Sequence, residues 1–132
     1  MPRKKQLRIV TSIPEVNFFK PVATPLRTLE VVCLLLEELE AMKLVDYYGY
    51  KQEKAAEEMG VSRKTMWRDL KSGRKKVTEA LIEGKALKIE GGSFIAMRKF
   101  KCNQCGLEWM MPFGRDLPRV CIGCGGVRIE RR

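Results

Sequence analysis

The sequence predicts a mainly α protein: a tri-helical helix-turn-helix domain with an extended N-terminal arm, followed by a small β zinc ribbon. Three observations carry that prediction. Apolar residues recur at helical spacing between residues 35 and 81, a Gly-Val-Ser turn separates two of the helical segments, and two Cys-x-x-Cys pairs lie near the C-terminus. The expected divisions are 1–33 for the arm, 34–90 for the helical domain and 91–132 for the ribbon.

The arm comes first. Pro2, Pro14, Pro21 and Pro25 break helices and favour extended backbone, with a short strand expected around Leu7 to Val10. Phe18 and Phe19 are expected to anchor it to the body. The first helix is expected from about Leu36 to Tyr48, with Leu35, Leu36, Leu39 and Met42 as its inner stripe. Glu37, Glu38, Glu40 and Lys43 fall on the other side, and Gly49 ends the helix. Cys33, just before it, has no cysteine nearby and is expected to pack as a small buried hydrophobe.

The second helix covers about Lys51 to Met59. Gly60 suits the left-handed residue that ends a helix, and Ser62 suits the N-cap of the next. Two helices joined by so short a glycine-containing turn form a helix-turn-helix. In the third helix Met66, Leu70, Gly73, Val77 and Leu81 form one stripe, running to about Glu83 with Gly73 as a weak point. Lys64, Arg68, Lys71 and Lys75 fall opposite that stripe, with Trp67 on its flank. Strands are then expected over Lys85 to Ile89, from Phe94 to Phe100, over Leu107 to Met111 and over Val127 to Ile129.

Charge is unevenly spread. The chain carries 26 Lys and Arg against 16 Asp and Glu, a formal net charge of +10. Residues 21–46 are net −3, while residues 1–20, 47–90 and 91–132 are net +4, +4 and +5. The window Ser62 to Lys76 alone holds seven basic residues and one acid, Asp69. A solvated surface is the plain explanation, and a polyanionic partner such as nucleic acid is the sharper one. In the sharper reading Ser62 caps the recognition helix, Lys64, Arg68 and Thr65 approach base edges, and Arg63, Lys71, Arg74 and Lys75 touch phosphates. Trp67 is a core flank or stacks on a sugar.

Cys102, Cys105, Cys121 and Cys124 form the most specific motif, with fifteen residues between the pairs. Two intervening residues let a tight turn aim both thiolates of a pair at one ion. Two such turns complete a tetrahedral, closed site, structural and not catalytic, for one zinc. Arg98, Lys99, Lys101 and Arg119 would offset its negative charge. Disulfides and redox dithiols compete for the same residues, and iron stays open as the metal.

There is no histidine, which excludes two-Cys-two-His fingers, His-based triads and H-E-x-x-H zinc enzymes. With no phosphate loop or nucleophile–base pair either, an enzyme is not expected. No apolar run reaches membrane length and no signal peptide is visible, so the cytoplasm is the expected compartment.

Four stretches carry a family resemblance: F-K-P-V-A-T-P-L from Phe19, E-E-L-E-A-M-K-L from Glu37, G-V-S-R-K-T from Gly60, and E-G-K-A-L-K-I-E-G-G from Glu83. Together they resemble an uncharacterised prokaryotic family, domain of unknown function one-three-four, whose members are predicted DNA-binding proteins. The helical part is similar to region four of bacterial sigma factors, which implies a tri-helical DNA-binding fold. This chain departs from that pattern at Asp69, where such helices usually carry an apolar residue. The expected function is therefore that of a transcriptional regulator reading duplex DNA, with a second copy of the chain as partner. Docking of the ribbon and the acidic first helix on the transcription apparatus, on RNA polymerase or other transcription proteins, and RNA binding through Arg98, Lys99, Phe100 and Lys101, are the alternatives.

Overall fold

The computed structural model describes residues 7–112 and 118–131. In chain order its elements are β1 (Arg8–Val10), β2 (Phe18–Phe19), a 3-10 turn (Leu26–Thr28), β3 (Val31–Leu34), α1 (Leu36–Met42), α2 (Gln52–Met59), α3 (Arg63–Glu83), β4 (Ala86–Ile89), β5 (Phe94–Cys102), β6 (Glu108–Pro112) and β7 (Ile129–Arg131). A π-helical stretch, Lys43–Tyr47, continues α1 before Gly49 turns the chain at φ 75°.

The class is α/β, and this corrects the expectation of a mainly α protein. Two mixed sheets accompany the three helices. In one, β4 lies between β2, which is antiparallel to it, and β3, which is parallel. In the other, β5 is central, with β6 on one edge and β1 and β7 on the opposite edge. β1 pairs parallel with β5 from Arg8↔Phe94 to Val10↔Ala96. Segments that read as an arm thus supply strands to both sheets. The basic residues Arg3, Lys4 and Lys5 lie outside the described residues.

Alternation along β3 places Val32 and Leu34 inward and Val31 and Cys33 outward. The expected burial of Cys33 is therefore wrong: it is exposed, and its thiol faces the Glu90 carbonyl oxygen at 3.6 Å. Period-two geometry sends neighbouring side chains to opposite faces, which helical spacing could not anticipate. Phe18 is half-buried and Phe19 exposed. They hold their segment mainly through backbone pairing with Leu87 and Lys88.

Helix α3 follows its expected stripe for three turns. Met66 and Leu70 are fully buried and pack with Ala41, Leu44, Ala55, Ala56 and Met59 in the helical core. Further on, Ala80 is buried whereas Leu81 is exposed, so the inner face drifts off the expected line. Gly73 is buried where α3 crosses α1. A Cβ there would lie 2.9 Å from Met42 Sδ and 3.2 Å from the Glu38 carbonyl oxygen, so glycine marks a close approach. Gly60 (φ 67°) ends α2, and the Ser62 side chain accepts from the Thr65 amide, as the turn chemistry predicts.

The largest correction in the packing concerns α1. Glu37, Glu38 and Glu40 are 5%, 3% and 2% exposed, not solvent-facing. Each has partners. Glu38 accepts from the Leu35 amide at 2.8 Å and pairs with Lys76 at 2.7 Å. Glu40 accepts from Thr11 Oγ1 at 2.9 Å and pairs with Lys43 at 2.8 Å. Glu37 accepts from the Ser93 amide at 2.6 Å. Buried carboxylates persist only when so compensated.

Candidate metal centre and nucleic-acid interface

Cys102 ends β5, and Cys105 follows in the turn before β6. Cys121 and Cys124 form a second, similar turn. In each, the amide of the residue after the second cysteine closes the turn: Gly106 N donates to Cys102 O at 2.9 Å, and Gly125 N to Cys121 O at 3.0 Å. Both glycines sit at positive φ, 79° and 74°, where a side chain would be strained. Amides also aim at sulfur. Gln104 N and Cys105 N donate to Cys102 Sγ at 3.4 and 3.5 Å, and Gly123 N donates to Cys121 Sγ at 3.3 Å.

The four Sγ atoms all lie within 4.8 Å of one another, and the Cys102–Cys124 and Cys105–Cys121 pairs are each 3.6 Å apart. A tetrahedron with Zn–S bonds of ~2.3 Å has edges of about 3.8 Å. The cluster therefore fits a four-thiolate metal ion, and all four cysteines are free thiols. The Cys105 amide is the largest influence holding the Cys102 thiol down to about 6. The Cys124 amide similarly lowers Cys121. At Cys105 the Leu107 amide lowers the thiol, but burial and the three neighbouring sulfurs outweigh it and raise it to about 12. Four sulfurs this close share their negative charge poorly unless a cation lies among them.

The residues nominated for a nucleic-acid surface begin at the turn before α3. Ser62 caps the helix, and Thr65 is half-buried against it. Arg63, Lys64, Trp67, Arg68, Lys71, Arg74 and Lys75 are all exposed. Among the described residues Lys64, Arg68, Lys71 and Lys75 have no ion pair. Arg63 pairs loosely with Glu53 at 3.5 Å, and Arg74 makes a two-point contact with Asp46 at 2.6 and 3.1 Å. That contact holds Asp46 below the usual carboxylate range. Trp67, 40% exposed, is not a core residue. On the ribbon, Phe100 is buried and stacks on Trp109, while Lys99 pairs with Glu58 of α2 at 2.6 Å.

The family model described as a protein of unknown function, DUF134, matches residues 1–97. The chain belongs to that family. Relatives named UPF0251 protein extend the likeness beyond the matched stretch. One from Moorella thermoacetica is 45% identical over 133 residues, covering 100% of this chain and 88% of its own. One from Halothermothrix orenii is 45% identical over 134 residues, covering 98% and 99%. One from Methanocella arvoryzae is 39% identical over 133 residues, covering 98% and 80%. No solved structure matches.

The family match spans α1 to α3 and both sheet partners of β4, while the four cysteines lie beyond it. Sequence reasoning missed three ion pairs between distant segments: Arg8–Asp69, Lys76–Glu38 and Lys99–Glu58. The first had one visible signal. Asp69 interrupts the apolar pattern of α3, and a buried acid requires a cation. No helix of the described residues is long and apolar enough to cross a membrane.

Proposed function

We propose that this protein binds duplex DNA through the exposed side of α3 and acts as a regulator of transcription. One observation carries the reading. Four cations on one face of α3, Lys64, Arg68, Lys71 and Lys75, have no acidic neighbour within ion-pair distance among the described residues. Other basic residues of the same helix, Arg74 and Lys76, are neutralised by Asp46 and Glu38. A lane of uncompensated charge along a helix that follows a tight turn suits a phosphate backbone and the major groove beneath it.

In this reading Lys64 and Arg68, with Thr65, meet base edges near the start of the helix. Arg can bridge guanine O6 and N7. Arg63, Lys71 and Lys75 hold phosphates, Ser62 fixes the helix start, and Trp67 packs against a sugar. Arg74, tied to Asp46, contributes less. One such helix reads few base pairs, so two copies on adjacent half-sites are expected. The metal is a single zinc ion held by Cys102, Cys105, Cys121 and Cys124. It is structural, because four protein ligands leave no open position. The protein acts in the cytoplasm, where thiols stay reduced, as a binding protein and not as an enzyme. The acidic run of α1 offers no docking face to the transcription apparatus, since its carboxylates point inward. Phe100, being buried, offers no stacking platform for RNA.

Selection from a random duplex pool would supply a target, and a salt series on that target tests the reading. Binding should weaken linearly in log–log form, and Lys71→Ala should reduce the slope by about 0.9. Arg74→Ala should change it less. Absent or salt-independent binding by the unaltered protein overturns the proposal.

A further inference from the structure

A half-open cavity of about 430 Å³ lies between α2 and the β5–β6 hairpin. That volume falls within the range of small-molecule sites. Three of its lining residues, Tyr50, Phe100 and Trp109, are aromatic, and four, Lys54, Glu58, Lys99 and Glu108, are charged. Trp109 stacks on the buried Phe100 with centroids 5.9 Å apart and planes inclined at 28°. Tyr50 lines it from the α2 side.

The charge of the walls is specific. Lys99 and Glu58 pair at 2.6 Å, and Glu108, which also lines the cavity, has a contact of its own. Lys54 differs: its Nζ lies 4.2 Å from the Tyr50 ring centroid and is paired with no carboxylate among the described residues. The cavity thus combines flat aromatic surfaces with charged side chains, one of which, the Lys54 ammonium, is not already held by an acid. Trp109 adds a donor, since its Nε1 is buried without an acceptor among the described residues. Buried donors are rarely left so, and they mark places where a group is missing.

From this combination we infer that the cavity binds a flat aromatic anion of one or two rings. The ring lies against Trp109 and Tyr50, which favours stacking over a non-planar body. The anionic group meets Lys54, and an acceptor oxygen on the ligand edge takes the Trp109 N–H as the indole shifts toward it. The site would sit on the junction pinned by Lys99 and Glu58, between the helical unit and the cysteine-bearing strands. The inference does not rest on the DNA reading, and its test contains no DNA.

The test uses the full chain, metal-loaded and labelled with nitrogen-15. Its two indole N–H resonances, from Trp67 and Trp109, are told apart with Trp67→Phe. Benzoate, salicylate and indole-3-carboxylate are titrated in turn. A saturable shift of the Trp109 resonance by at least one of them, with Trp67 unmoved, is expected. Lys54→Met, a change at an exposed position, should weaken binding about tenfold or more, the loss of one charge-assisted contact. Salicylamide, which is neutral, should bind more weakly than salicylate by a similar factor. A Trp109 resonance that no probe moves overturns the site. Equal binding of salicylamide and salicylate, or unchanged affinity in Lys54→Met, overturns its selectivity for anions.

Discussion

Arg8 on β1 and Asp69 on α3 form a two-point ion pair, Nε to Oδ2 at 3.0 Å and Nη2 to Oδ1 at 3.3 Å, with side chains only 14% and 10% exposed. It joins the first strand to the N-terminal third of the longest helix, and it explains an acid beside an otherwise apolar stripe. Breaking such a pair strands the surviving charge, whereas replacing both partners with apolar groups does not. Asp69→Leu or Arg8→Met alone should therefore cost about 3–5 kcal/mol. The double variant should lie within about 1 kcal/mol of the parent. Urea denaturation of the four proteins measures the coupling, and additive losses would contradict it.

Gly73 makes the opposite prediction from a helix-propensity table. In an exposed helix Gly to Ala gains about 1 kcal/mol. Here the added methyl would press on Met42 Sδ and the Glu38 backbone, which lies across the α1–α3 crossing. Overpacking of this kind costs about 1–3 kcal/mol, so Gly73→Ala should be destabilising. A raised midpoint in thermal denaturation would show that the two helices separate more easily than the contact implies.

Glu37 should leave a signature in the pH dependence of stability. Burial is the main cause raising its carboxyl above the ordinary value, against the opposing Ser93 amide and Arg8. Below the ordinary carboxylate pKa both folded and unfolded chains hold the proton, and the contribution is fully present. As pH rises through the raised native value, the fold must carry a desolvated charge and that stability is lost. Glu37→Gln keeps an acceptor for the Ser93 amide but never ionises. The stability of the parent relative to Glu37→Gln should fall as pH increases through this window. Denaturant midpoints of both proteins across a pH series give the difference directly, and a flat difference argues against a buried charge.

Metal removal should be local in its damage. The helical core of Ala55, Met59, Met66 and Leu70 owes nothing to the cysteines. β5, β6 and β7 depend on them, and β1 depends on β5 for its strand pairing. Chelation, or Cys105→Ser, should abolish metal binding measured by mass spectrometry. Amide exchange should accelerate in β5 to β7 and in β1, while α2 and α3 keep most of their protection. Visible absorbance in the purified protein would indicate iron instead, and uniform loss of protection would show one cooperative unit.

Much of the site was legible because it is local. The cysteine spacing predicted a cluster whose sulfurs do converge. Gly60 and Ser62 predicted a turn with the expected left-handed stop and side-chain cap. The face carrying Lys64, Arg68, Lys71 and Lys75 followed from helical period alone, and it is exposed. The second sheet was not legible. β2 and β3 have two and four residues, too few for alternation to stand out, and their partner β4 lies beyond all three helices.

The sequence by itself determined what nearest neighbours along the chain decide: helix starts and stops, the apolar stripe of α3 and the paired cysteine turns. Tertiary structure alone decided the rest. Glu37, Glu38, Glu40 and Asp69 read as solvent-facing or anomalous until Ser93, Lys76, Thr11 and Arg8 arrive from distant segments. The same folding that buries these acids leaves four cations of α3 without them. A carboxylate's place depends on whether a compensating donor can reach it in space, and that distance is set by the folded chain, not by position along it.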